Sequence, residues 1–187
     1  MPKTMRTLLL VTFFGLMAYV PSAVAGDIAG TIGVAKPEQA VVYLQTVAGN
    51  FAAGRAQMDQ RGKMFLPYVL PVLKGTTVEF RNGDDLQHNV FGIGAEEFNL
   101  GTFGKGGVRE HTFNKLGEVT LLCNVHPEME GHILVLQNPF FSKPGADGKF
   151  HIANVPAGDY VLEAWYADKI KKQNVKVAAN GTVTVSF

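Results

Sequence analysis

Cys123-Asn124-Val125-His126-Pro127-Glu128-Met129 puts a thiol, an imidazole and a thioether within seven residues. Thirty-five residues before the cysteine, His88-Asn89 offers a second imidazole. A soft thiolate and thioether favour Cu(I), whereas imidazole accommodates both oxidation states. Two His and one Cys with a long, weak axial Met suit a trigonal copper site. Taken singly, each residue has an ordinary explanation. An inward-facing Cys on a strand is usually a small core residue, a loop His is usually solvated, and a Met often fills a gap. Their concentration in one short loop, with a further His beside a predicted strand end, favours the metal. A catalytic zinc site is disfavoured by the thioether, and no Ser/His/Asp or paired-carboxylate motif stands out.

The elements that must present these side chains have a period of two. Thr77-Val78-Glu79-Phe80-Arg81 alternates polar and apolar and ends at Asn82-Gly83, a turn dipeptide just ahead of His88. Glu118 to Cys123 places Val119, Leu121 and Cys123 on one face. Further alternating runs lie at Phe150–Ile152, Tyr160–Ala164, Val175–Val177 and Val183–Phe187, punctuated by Gly and Pro. The fold class is therefore all-β, a sandwich or barrel. Only Ala52 to Gln60 suggests a short helical turn. Gly92 to Gly107, with six glycines, matches no phosphate-binding motif and reads as a long loop or hairpin. His111 and His151 fall on polar strand faces, His132 reads as a strand-edge residue, Asn180-Gly181 as a hairpin turn, and Lys169 to Lys172 as a solvated face.

Composition bounds the rest. Of 187 residues, 47% are hydrophobic and 18% charged, which excludes a disordered chain. A single Cys excludes a disulfide scaffold. The net charge of +1 gives no basic footprint for nucleic acid. Lys3 and Arg6 precede an uncharged run from Leu8 to Val20, followed by Ala23-Val24-Ala25, the pattern of a signal peptide cut after Ala25. Thirteen apolar residues fall short of the ~20 that span a bilayer. An exported, periplasmic protein is expected, with no stable membrane insertion.

At this level the sequence resembles a known family. Gly75 to Asn82, His88-Asn89-Val90 and Cys123 to Met129 are similar to the cupredoxins, on the amicyanin and pseudoazurin side. Met58 to Val78 also resembles periplasmic proteins labelled methylamine utilisation proteins. Over about residues 27 to 137 the resemblance implies a Greek-key β-sandwich binding one type 1 copper ion through His88, Cys123, His126 and Met129. Asn89 would bridge the two ligand loops. The carboxylate of Glu128, beside the axial residue, departs from relatives, so contact of Glu128 or Glu130 with copper is a further option. Asp147 to Leu162 is similar to carboxypeptidase-regulatory-like or transthyretin-like β-sandwiches, in which an early strand pair precedes this motif. Ile28–Gly33 and Ala40–Leu44 match that pair.

The expected organisation is a signal peptide at 1–25, a cupredoxin domain at 26–137 and a β-sandwich region at 138–187. Residues 26–50 belong either to the copper domain or to the tail, which at about 45 residues is too short to fold unaided. The expected function is single-electron transfer without enzymatic activity. The partner would be a redox protein such as a c-type cytochrome or periplasmic oxidoreductase. His126 would serve as the surface port, flanked by Phe91 and Pro127. The competing readings are copper storage or delivery, with Met58 and Met64 as additional ligands, and a structural binding module with a vestigial copper site.

Overall fold

The computed structural model describes residues 24–187. The signal peptide expected at 1–25 lies almost entirely outside them. Sixteen strands follow one another among the described residues: β1 (Ala25–Thr31), β2 (Val41–Leu44), β3 (Arg55–Gln60), β4 (Phe65–Leu66), β5 (Val69–Leu73), β6 (Thr77–Asn82), β7 (His88–Gly94) and β8 (Phe98–Phe103), then β9 (Val108–Thr112), β10 (Gly117–Leu122), β11 (Glu130–Leu136), β12 (Phe141–Ser142), β13 (Lys149–Pro156), β14 (Gly158–Tyr166), β15 (Lys169–Val177) and β16 (Thr182–Ser186). One short 3-10 turn, Pro37–Gln39, interrupts them. Among the described residues no helix is long and apolar enough to cross a membrane.

The strands form four sheets, and apolar alternation explains how these stack. A five-stranded sheet ordered β5-β11-β10-β7-β8 faces a four-stranded sheet ordered β4-β3-β6-β9. Val90, Val119, Leu121, Ile133 and Val135 from the first interdigitate with Met58, Phe65, Val78 and Phe80 from the second. The other two sheets, β13-β1-β16 and β12-β2-β14-β15, enclose Ile28, Ile152, Val155 and Val185 against Val42, Leu44, Leu162 and Ala164. Strands 55–136 are thus inserted between the two parts of a second sandwich. β1 pairs antiparallel with β13 and parallel with β16, while β2 pairs with β12 and β14. Of the two pairings open for residues 26–50, these hydrogen bonds join the tail.

The two sandwiches share a seam because two strands are apolar on both faces. In β11, Ile133 and Val135 enter the core of the first sandwich while Leu134 and Leu136 face outward. In β2, Val42 and Leu44 face inward while Val41 and Tyr43 face outward. The outward sets meet around Trp165, which is 0% exposed. A strand covered on both sides reads as a nearly continuous apolar run, as Gly131 to Leu136 does apart from His132.

Close backbone approach fixes some positions. A Cβ on Gly30 would lie 2.0 Å from the carbonyl oxygen of Val185, so β1 can meet β16 there only as glycine. Gly92 serves the same purpose beneath the Phe98 ring, where a Cβ would lie 2.5 Å from Cε1.

Several local expectations are corrected. Ala52 to Gln60 is not a helical turn: its last six residues form β3, drawn into parallel pairing with β6. For Gly92–Gly107, by contrast, the hairpin alternative holds: β7 and β8 pair antiparallel. Asn180-Gly181 does not close a hairpin, because β15 pairs with β14 whereas β16 crosses to β1 in the opposite sheet. Lys169 to Lys172 is the solvated face expected, exposed on the outer edge strand β15, where lysines discourage edge-to-edge pairing.

Candidate metal centre

The loop between β6 and β7 is built by Asn82, the buried last residue of β6. Its Nδ2 donates to the carbonyls of Leu86 and Phe103 at 2.8 and 2.9 Å, and its Oδ1 accepts from Asp84 N at 2.9 Å. This side chain satisfies buried backbone groups that a tight loop cannot pair internally. The same loop aims Asp84 at His88, the first residue of β7. Asp84 Oδ2 lies 2.8 Å from His88 Nε2. The carboxylate is itself anchored by the backbone N–H groups of Gly62 and Lys63 at 2.8 and 3.0 Å. Those two donors, then burial working against them, then His88, leave the Asp84 carboxyl lowered to about 2.

An ionised carboxylate can only accept, so Nε2 of His88 carries the hydrogen. In the neutral ring Nδ1 is then a bare lone pair. It points into a cluster. His88 Nδ1 and His126 Nδ1 are 3.1 Å apart, and Cys123 Sγ is 4.0 Å from His126 Nδ1. One ligand atom from each of His88, Cys123 and His126 lies within 4.8 Å of the others. His88 and Cys123 are buried, at 0% and 3% exposed, while His126 is half-buried between exposed Val125 and Pro127.

Cys123 follows the last residue of β10, on the same inward face as Val119 and Leu121. Its sulfur accepts the N–H of Asn89 at 3.3 Å. Asn89 ties the two loops together as the resemblance implied, its Oδ1 accepting from Asn124 N at 3.5 Å while its Nδ2 donates to Asn99. A hydrogen bond to the cysteine sulfur is one of the features that tune the potential of a copper–thiolate centre. Met129 is 1% exposed in the same core cluster as Cys123, and its N–H closes the loop onto the carbonyl of His126 at 2.9 Å.

The donor set fits copper. Two imidazole nitrogens facing each other with a thiolate beside them present three lone pairs to one point, and a soft sulfur with borderline nitrogens is what Cu(I) and Cu(II) share. Neither carboxylate joins the cluster: exposed Glu128 pairs with Lys63 at 3.7 Å, and Glu130 accepts from Tyr68 Oη at 3.1 Å. Of the extra thioethers, Met58 is fully buried in the core and Met64 is 55% exposed.

Other histidines are also repositioned. His132 is not at an edge. It lies on β11, between β5 and β10, is 1% exposed, and faces the seam. His111 is more than a surface residue, since it stacks on Phe98 with centroids 3.9 Å apart and pairs with Glu96 at 3.0 Å. His151 is exposed, as expected, and pairs with Asp27. Asp84 was the functional residue missed by sequence reasoning, and its spacing of four before His88 was the available signal.

Solved structures similar to this chain include a purple cupredoxin from Nitrosopumilus maritimus, 27% identical over 43% of this chain and 98% of that one, with a TM-score of 0.39. A copper-containing nitrite reductase from Thermus scotoductus SA-01 is 30% identical over 58% of this chain, with a TM-score of 0.43. The chain spans 28% of that enzyme's length. A proline-to-glycine mutant of amicyanin in its reduced Cu(I) form is 24% identical over 52% of this chain and 98% of its own, with a TM-score of 0.41. No protein-family model and no curated protein matches the chain.

Proposed function

We propose that this is a periplasmic type 1 copper protein of the cupredoxin kind that carries single electrons between redox partners. The observation that carries the reading is the meeting of His88 Nδ1, His126 Nδ1 and Cys123 Sγ at one point. In this reading His88, Cys123 and His126 hold one copper ion and Met129 is its weak axial neighbour. Copper bound there would supply a one-electron Cu(II)/Cu(I) couple.

The residues divide the remaining work. Asp84 fixes the tautomer and orientation of His88, so the buried nitrogen needs no rearrangement to bind. Asn89 clamps the two loops and limits movement of the sulfur. Burial of His88, Cys123 and Met129 keeps water from the centre, leaving the half-buried ring of His126 as the route to the surface. That arrangement favours transfer through a ring edge over binding of a substrate, which supports a carrier and not an enzyme. Exposed Val125 and Pro127 beside His126 suit the small, transient interfaces of redox encounters with a cytochrome-like partner. We also propose that residues 55–136 form the copper unit, and that 25–44 with 141–186 form its carboxypeptidase-regulatory-like companion.

The test is a visible spectrum of the copper-loaded, oxidised protein. An intense sulfur-to-copper charge-transfer band is expected, and Cys123→Ser abolishes it. A colourless protein with a freely titratable thiol after copper addition would refute the assignment. Copper delivery, the competing function, predicts instead that Cu(I) passes intact to an acceptor chelator faster than electrons pass to a cytochrome.

A further inference from the structure

Across the five-stranded sheet from Cys123, three other donors converge. Glu118 reaches out from β10, His132 from the adjacent β11, and Asp168 from the turn joining β14 to β15 in the other sandwich. One ligand atom from each lies within 4.8 Å of the other two. We propose that Glu118, His132 and Asp168 form a second metal site, taking a divalent ion such as zinc at the seam between the sandwiches.

Assignment of the hydrogens carries the argument. Tyr68 Oη donates to Glu130 at 3.1 Å, so its oxygen is left to accept from His132 Nε2 at 3.0 Å. Glu130 also lies 3.3 Å from that same nitrogen, which again requires the hydrogen on Nε2. Nδ1 faces Glu118 Oε1 at 2.9 Å and Asp168 Oδ1 at 3.9 Å, so it either donates a hydrogen to Glu118 or, without that hydrogen, offers its lone pair to a metal. Three ligand atoms turned toward one another must share positive charge, as hydrogens held between them or as one bound cation. A proton on the ring satisfies one contact, whereas a dication satisfies all three. The two carboxylates are close enough to share a hydrogen: chiefly through that hydrogen bond to Glu118, then through burial and the Glu118 charge, the Asp168 carboxyl is held above the usual carboxylate range.

The supports behind the donors are those of a built site. Glu118 Oε2 accepts from the indole Nε1 of Trp165 at 2.9 Å, which orients the carboxylate. His132 is locked from behind by Tyr68 and packed between the Tyr68 and Trp165 rings, with both centroids 5.0 Å away. Such outer partners are what fix the tautomer and aim of a metal-binding imidazole. Donors around tetrahedral zinc sit roughly 3.3 Å apart, given bonds of about 2.0–2.2 Å, and the observed 2.9 and 3.9 Å bracket that spacing. The set has nitrogen and oxygen but no sulfur, so it is harder than the Cys123 cluster, and the two centres select different ions. A metal here would tie the companion sandwich to the copper sheet through Asp168.

The test is isothermal titration of zinc chloride into full-length protein carrying Cys123→Ala and His126→Ala, which dismantle the first cluster. One equivalent of zinc and a raised Tm are expected. Adding Asp168→Asn weakens binding at least tenfold, and adding His132→Gln removes it. Asp168 is exposed with φ of 60°, a conformation asparagine readily adopts, so that variant folds. The site is overturned if the double variant takes up no zinc, if Asp168→Asn leaves affinity and Tm shift unchanged, or if nitrogen NMR finds a hydrogen on His132 Nδ1 at zinc saturation.

Discussion

Asp84 gives His88 a negatively charged partner 2.8 Å from its outer nitrogen, and the consequence is electronic as well as geometric. A carboxylate pulling on Nε2–H makes the opposite nitrogen a stronger donor, which favours Cu(II) over Cu(I). Asp84→Asn keeps the shape but removes the charge. We expect copper affinity to fall about 10–100-fold and the reduction potential to rise, measured by competition titration and by voltammetry. The Cys and the two His of the cluster were readable because scarce metal-binding side chains share two short stretches. Asp84 was not, since a loop aspartate is ordinary until the fold points it at an imidazole. His132 was misjudged for a related reason: a lone polar residue in an apolar run looks like an edge position until a second layer is known to cover it.

At the scale of elements, Glu96 in the β7–β8 connection is a pin. Its carboxylate accepts from the backbone N–H groups of Asn114 and Lys115 and pairs with His111 at 3.0 Å, fastening the β9–β10 connection to the hairpin that begins with His88. Burial alone would raise its pKa, but His111 and the two backbone donors outweigh it, so the carboxyl sits below its ordinary 4.5. A depressed carboxyl stabilises the fold above the unfolded value and loses that contribution as pH falls through the folded one. Denaturant unfolding should therefore show stability declining below about pH 4.5. Glu96→Gln should lower stability at pH 7 by about 1 kcal/mol and flatten that decline. Strand existence was legible throughout from the period of two, as β6, β10 and β14 illustrate. Strand partners were not: β3, β5 and β16 pair in parallel with strands distant in sequence, and alternation says nothing about which neighbour a strand takes.

For the whole molecule, Trp165 is where two cores become one cooperative structure. It is fully buried among Val41, Tyr43, Val69, Leu134 and Leu136, with its indole N–H on Glu118. Trp165→Ala should cost about 3–5 kcal/mol, lower Tm on the order of 10 °C, and split a single calorimetric transition into two, one for each sandwich. The parallel contact between β1 and β16, which joins Thr31 to Ser186 across 155 positions, has a consequence for how the chain is made. During synthesis the interval that carries His88, Cys123 and His126 is complete while β1 still waits for both its neighbours. Loop closure over so long a span is slow, but the intervening unit shortens the effective tether by folding first. Maturation should then run from the inside outward, with the ligand loops set before their frame closes, and pulsed hydrogen exchange should see β10 and β11 protected earlier than β1.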